Sequence, residues 1–164
     1  MSLVFSRGFL FSLLIVLTCL PLTASRRPNS EGIFSPAVER GLAWLVTAQH
    51  EDGGWGAGAH SHQEIQDPHA VPADPATTAF AALAFLRVGS TPDHGRFRTS
   101  SRRATEYLLR VVESAPGEGP LITDMTGTQP QVKMGQLVDT SMALLYFSRL
   151  LPRLDPEDSL YPRV

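Results

Sequence analysis

Arg40-Gly41-Leu42-Ala43-Trp44-Leu45-Val46-Thr47-Ala48-Gln49-His50-Glu51-Asp52-Gly53-Gly54-Trp55 decides the fold of this 164-residue chain. Leu42, Leu45 and Val46 fall at i, i+3 and i+4, and Trp44 widens the apolar face, which is the spacing of an amphipathic helix. Asp52-Gly53-Gly54 closes the element, because glycine accepts the positive φ that a helix end requires. A second tryptophan follows at once. Upstream, Ser35 is placed to cap the helix, Pro36 fits its first position, and Glu39 sits near its positive end. These signals predict a first helix over 36–49.

Working outward, the same start signal recurs at Asp74-Pro75. A second helix is predicted over 75–88, and it carries almost no polar residue after Thr78. A helix that is apolar all round is buried all round. Gly89 ends it, and Ser90 to Gly95 is turn chemistry. A third helix, about 99–114, sets Ala104, Tyr107, Leu108, Val111 and Val112 against Arg102, Arg103, Glu106, Arg110 and Glu113. A fourth, 138–151, is again strongly apolar and stops at Pro152. The stretches 51–73 and 117–136 have no periodicity and read as long loops, a length usually tied to function or mobility.

Residues 1–25 read as a secretory signal peptide. Arg7 precedes an apolar run from Gly8 to Leu22, and the small residues Thr23, Ala24 and Ser25 follow. The run is about 15 residues, short of the ~20 that a membrane span needs, so an uncleaved anchor is the alternative. This places the domain in a secreted or periplasmic, extracytoplasmic compartment. Cleavage removes Cys19, the single cysteine, and leaves no disulfide or thiolate ligand. Lys and Arg number 14 against 16 for Asp and Glu. That balance argues against a nucleic-acid partner. Residues 26–35 then form a linker, 36–151 the folded unit, and 152–164 an irregular tail with three prolines.

The folded unit contains a repeat. Arg103 to Leu108 matches Arg40 to Leu45 at an offset of 63 residues, and Thr140-Ser141 matches Thr77-Thr78 at the same offset. Each unit pairs one amphipathic helix with one fully apolar helix. The string Arg40, Gly41, Trp44, Leu45, Gln49, Gly53, Trp55 resembles the QW repeat of the squalene-hopene and oxidosqualene cyclases, shared more loosely by protein prenyltransferase β subunits. The resemblance also extends to secreted bacterial cyclase-like repeat proteins of no known activity. It implies an all-α fold of tandem helical hairpins, a partial α/α toroid with about four main helices. In that family the apolar helices form the inner ring and the motif's aromatics brace the helices.

The same resemblance directs the search for chemistry. Cyclases of this family start with a general acid, the middle Asp of an Asp-x-Asp-Asp-Thr-Ala string. At Asp74-Pro75-Ala76-Thr77-Thr78-Ala79 the first Asp is kept and Ala76 stands at the acid position. At Gln136-Leu137-Val138-Asp139-Thr140-Ser141 the last Asp is kept and Val138 stands there. Neither Ala nor Val donates a proton, so Asp74 and Asp139 are expected to cap helices. Prenyltransferase β subunits bind zinc through Asp, Cys and His, and the mature chain has no Cys. His60, His62 and His69, with Asp67 nearby, form a candidate metal set in the first loop, and a solvated polar loop is the alternative. Trp55, Phe80 and Tyr146 are candidates to line an apolar ligand site, with core packing as the alternative. No cofactor is expected. The sequence therefore points to a non-catalytic module that binds a protein, a second copy of itself or an isoprenoid-like ligand. The alternative is a fragment or subunit of a terpene cyclase or prenyltransferase-type enzyme.

Overall fold

The computed structural model describes residues 34–164, so the signal peptide read at 1–25 and most of the linker lie outside it. Among the described residues five α-helices carry the fold: α1 (Pro36–Thr47), α2 (Pro75–Arg87), α3 (Arg98–Glu113), α4 (Gln129–Met134) and α5 (Val138–Leu150). Among the described residues there is no strand, so the fold is all-α. The four long helices end within two residues of their predicted bounds. Among the described residues no helix is long and apolar enough to cross a membrane.

The start signals act as their chemistry requires. Ser35 Oγ accepts the Val38 N–H of α1 at 3.4 Å, and Asp74 Oδ1 accepts the Thr77 N–H of α2 at 2.7 Å. α2 is the central element, packed against α1, α3 and α5. That position explains its composition: Ala76, Ala79, Ala82 and Phe85 are almost wholly buried. Small residues let the neighbouring helices approach, and Phe85 fills the space left between them. Tyr146 of α5 is buried beside α3, where its hydroxyl meets Thr105 Oγ1 at 2.6 Å. Burial holds the Tyr146 phenol far above its usual pKa, so it stays neutral.

The stretch 40–55 behaves differently from a plain amphipathic helix. Leu42 is buried and Leu45 half-buried, but Val46 and Trp44 face solvent, Trp44 at 56 % exposure. Trp44 therefore does not brace a neighbouring helix, which corrects the expectation for that residue. Trp55 does: it is 3 % exposed, donates Nε1–H to the Leu45 carbonyl at 2.8 Å, and packs beside the Phe85 ring. Gln49 ties the end of α1 to α3 by donating Nε2–H to the carbonyls of Gly53 and Ser100. Gly53 has φ 95°, and a Cβ there would lie 2.3 Å from the Arg103 carbonyl oxygen. Only glycine fits that approach. Arg103 and Arg110 of α3 complete the clamp by donating to the carbonyls of His50 and Asp52.

Two regions hold more order than their composition suggested. The stretch 117–136 contains α4, opened by a capping box in which Thr128 and Gln131 satisfy each other's backbone. The tail 152–164 has single 3₁₀ turns at Leu151–Arg153 and Tyr161–Arg163, and it buries Leu154 and Leu160 in the core.

Trp55→Ala is expected to cost about 3–5 kcal/mol, the range for emptying a large core site. Trp44→Ala should stay within about 0.5 kcal/mol, as surface changes do. Urea denaturation midpoints of the two variants check the contrast.

Candidate functional site

Asp74 and Asp139 meet at the N-terminus of α2. Each is 1 % exposed. Asp74 Oδ1 accepts the Thr77 N–H, and Oδ2 accepts the Thr77 hydroxyl at 2.8 Å and the Ala57 N–H at 3.0 Å. Asp139 lies in the first turn of α5 and reaches across. Its Oδ1 accepts the Ala76 N–H at 3.0 Å, and its Oδ2 accepts Gln131 Nε2–H at 2.7 Å. Asp74 thus caps its own helix as expected. Asp139 caps the neighbouring helix instead of its own, which corrects the simpler expectation. α5 itself has no side-chain cap at Leu137.

Gln131 also donates to the Met125 carbonyl at 2.8 Å, so the pair is tied to the second loop as well. The two loops are joined above it. His60 N–H donates to the Gly127 carbonyl and Gln129 N–H to the Gly58 carbonyl. The positive end of α2 favours carboxylates here. Burial still dominates at Asp74 and raises its pKa above the ordinary carboxylate range. The hydrogen bonds from Thr77 and Ala57 oppose that rise, and the charge of Asp139 adds to it.

A general acid must touch the group it protonates. These carboxylates are enclosed, and all four of their oxygens already accept donors from the chain. What the arrangement does is satisfy buried backbone and fix two helices and two loops in register.

The histidines do not converge. Among the described residues no group of three or more His, Cys, Asp or Glu side chains could hold a metal ion. His60 Nδ1 lies 3.1 Å from Gln129 Oε1, His62 Nδ1 lies 2.8 Å from Ser61 Oγ, and His69 Nε2 lies 3.0 Å from the Thr47 carbonyl. His69 packs beside His50, whose Nε2 faces the Pro68 carbonyl at 2.8 Å. The His69 and His50 contacts pin the first loop to the end of α1, that of His60 joins it to α4, and together they leave no shared ligand position, which corrects the His60, His62, His69 metal set.

Of the three candidate ligand residues, Trp55 and Tyr146 are core, and only Phe80, at 50 % exposure, faces solvent. An apolar concavity among the described residues lies elsewhere. It is a groove of about 500 Å³ lined by Pro120, Leu121, Met134, Gly135, Gln136 and Leu137, where the second loop meets α4 and α5. Leu121, Met134 and Leu137 all expose their side chains there. A second groove, about 410 Å³, runs beside α3 and is lined by charges of both signs, among them Arg98, Arg102, Asp93 and Asp158. Sequence reading missed the first groove because it needs α4. The signal for α4 was present in Thr128-Gln129-Pro130-Gln131, a capping box with a helix-opening proline.

Comparison with known proteins gives one family. Residues 9–120 match the family model for the squalene-hopene cyclase C-terminal domain. A squalene-hopene cyclase of Bradyrhizobium diazoefficiens (strain JCM 10833 / BCRC 13528 / IAM 13628 / NBRC 14792 / USDA 110) is 29 % identical over 103 residues, which is 62 % of this chain and 14 % of that protein. The chain thus spans about one seventh of that relative's length. No solved structure matches it.

Asp139→Ala orphans the Ala76 N–H and leaves Gln131 Nε2 with the Met125 carbonyl as its remaining acceptor, and should cost about 1–3 kcal/mol for the buried donor left unpaired. Chemical denaturation of the variant checks this. A carboxyl carbon NMR titration should place Asp74 above the ordinary carboxylate range. With the folded pKa above the unfolded one, its contribution favours folding below the unfolded pKa. That contribution is lost as pH rises through the folded pKa.

Proposed function

This chain belongs to the squalene-hopene cyclase C-terminal domain family, and from that membership we propose that it is a non-catalytic module binding an apolar, isoprenoid-like chain. One observation carries the reading: among the described residues a groove at Pro120, Leu121, Met134 and Leu137 exposes apolar side chains, and the buried carboxylates do not line it. A cleft of that size suits a small apolar ligand. Burying Leu121, Met134 and Leu137 under a hydrocarbon would remove exposed apolar surface at ~25 cal/mol per Å². The carboxylates kept from the acid string are committed to α2, which supports binding without proton transfer. The apolar segment at 8–22 supports an extracytoplasmic site of action.

A second reading is that the chain is one segment of a larger cyclase-type enzyme. The 14 % coverage of the Bradyrhizobium relative favours it. On that reading the groove contacts substrate only when further repeats complete the ring.

Titration of the labelled protein with farnesol, followed by amide NMR, separates these readings. The binding module should show saturable shifts at Leu121, Met134 and Leu137, and Leu121→Asp should weaken binding at least about tenfold, a loss of ~1.4 kcal/mol. Absent or non-saturable shifts would sink the binding reading. Cyclised product from squalene in the same tube would sink the non-catalytic one.

A further inference from the structure

A smaller cavity of about 50 Å³ adjoins the apolar groove in the second loop. It is lined by Thr123, Asp124, Thr126 and Gln131 among others, and it shares Leu121 and Gln136 with the groove. The groove is walled mainly by Leu, Met and Pro, and the small cavity by hydroxyls, amides and one carboxylate. Apolar and polar space thus meet at one pair of residues.

Two of the polar side chains serve the chain itself. Thr123 Oγ1 accepts the Met125 N–H at 3.1 Å. Gln131 donates Nε2–H to Asp139 and to the Met125 carbonyl, and its Oε1 accepts the Thr128 N–H. The side chains of Asp124, Thr126 and Gln136 make no hydrogen bond to the described residues, and all three residues are exposed. The walls that carry them are anchored. Thr140 Oγ1–H donates to the Pro120 carbonyl at 2.6 Å, and Ile122 packs against the core. Anchored walls lower the ordering cost of binding.

We propose that groove and cavity form one site for an isoprenoid-like alcohol. Its hydrocarbon lies along Leu121, Met134 and Leu137, and its hydroxyl lies among Asp124, Thr126 and Gln136. This inference rests on the binding reading above and adds the head group. A hydroxyl suits the polar end because it both donates and accepts. It donates to the Asp124 carboxylate and accepts from the Gln136 amide or the Thr126 hydroxyl. An ammonium only donates, so it leaves those two donors without an acceptor. A diphosphate is disfavoured twice. A cavity needs only about 10–15 Å³ to hold one water, so one of about 50 Å³ suits a hydroxyl rather than a diphosphate. No Lys or Arg lines either space, and the Asp124 carboxylate repels an anion.

Farnesol, its methyl ether and farnesyl diphosphate, titrated separately into the labelled protein and followed by amide NMR, test the assignment. The ether keeps the chain and the oxygen but cannot donate. Farnesol should bind at least about fivefold more tightly than the ether, the gain expected of one hydrogen bond. It should shift the amides of Asp124, Thr126 and Gln136 together with those of the groove. Farnesyl diphosphate should bind at least about tenfold more weakly than farnesol. Asp124→Ala should erase the preference for the alcohol over the ether, and Asp124→Asn, which keeps an acceptor, should retain it. Each preference is a ratio measured on one variant, so a change in fold stability cancels. Three results would each overturn the head-group assignment and leave the apolar groove standing: equal binding of alcohol and ether, diphosphate binding as tight as farnesol, or an unchanged preference in Asp124→Ala. Absence of saturable binding by all three ligands would remove the binding reading itself, and this inference with it.

Discussion

The structure depends on the satisfaction of one helix end. α2 is buried among three other helices, so the donors of its first turn have no access to water. Left unpaired, each would cost on the order of 1–3 kcal/mol. Asp74 and Asp139 supply the acceptors, one from the chain entering α2 and one from α5. Because Asp139 belongs to a different helix, the cap is also the register of α5 on α2. Because Gln131 and Ala57 donate to the same two carboxylates, it positions both long loops. Two buried carboxylates near one another are costly in isolation. The donors and the positive end of α2 offset part of that cost, and burial still raises the pKa of Asp74.

That constraint also explains why the site reads as structural. In an acid catalyst the carboxyl needs one face open to substrate and a proton to give. Here the same residue type, at positions resembling a catalytic string, has every oxygen turned to the chain. Apolar side chains stay open on several helices, among them Met134 of α4, Leu144 of α5 and Phe80 of α2.

Much of this was legible in the sequence. The caps at Ser35 and Asp74, the proline after each, and the 3.6-residue spacing place the four long helices, because local signals set helix ends. The burial of α2 follows from its lack of polar residues. Three things were not legible in the reading of single elements. Trp44 and Trp55 sit on one continuous motif, yet which of them is core depends on how the chain turns at Gly53 against Arg103. Asp139 looks like a cap for its own helix, and only the packing of α5 on α2 sends it to Ala76. The histidines cluster in sequence within one loop, but each finds a different partner, and spacing in a loop does not fix spacing in space. The capping box of α4 lies in a stretch without hydrophobic period, so its helix is marked by its start alone.

The most direct test is amide hydrogen exchange at Ala76 and Thr77. These N–H groups are the first-turn donors that the two aspartates accept. The account predicts that they exchange only through global unfolding, with protection equal to that of the α2 interior, and that Asp139→Asn selectively lowers protection at Ala76. Exchange at rates typical of frayed helix ends in the unaltered protein would contradict it, since α2 would then not be held by its buried carboxylates.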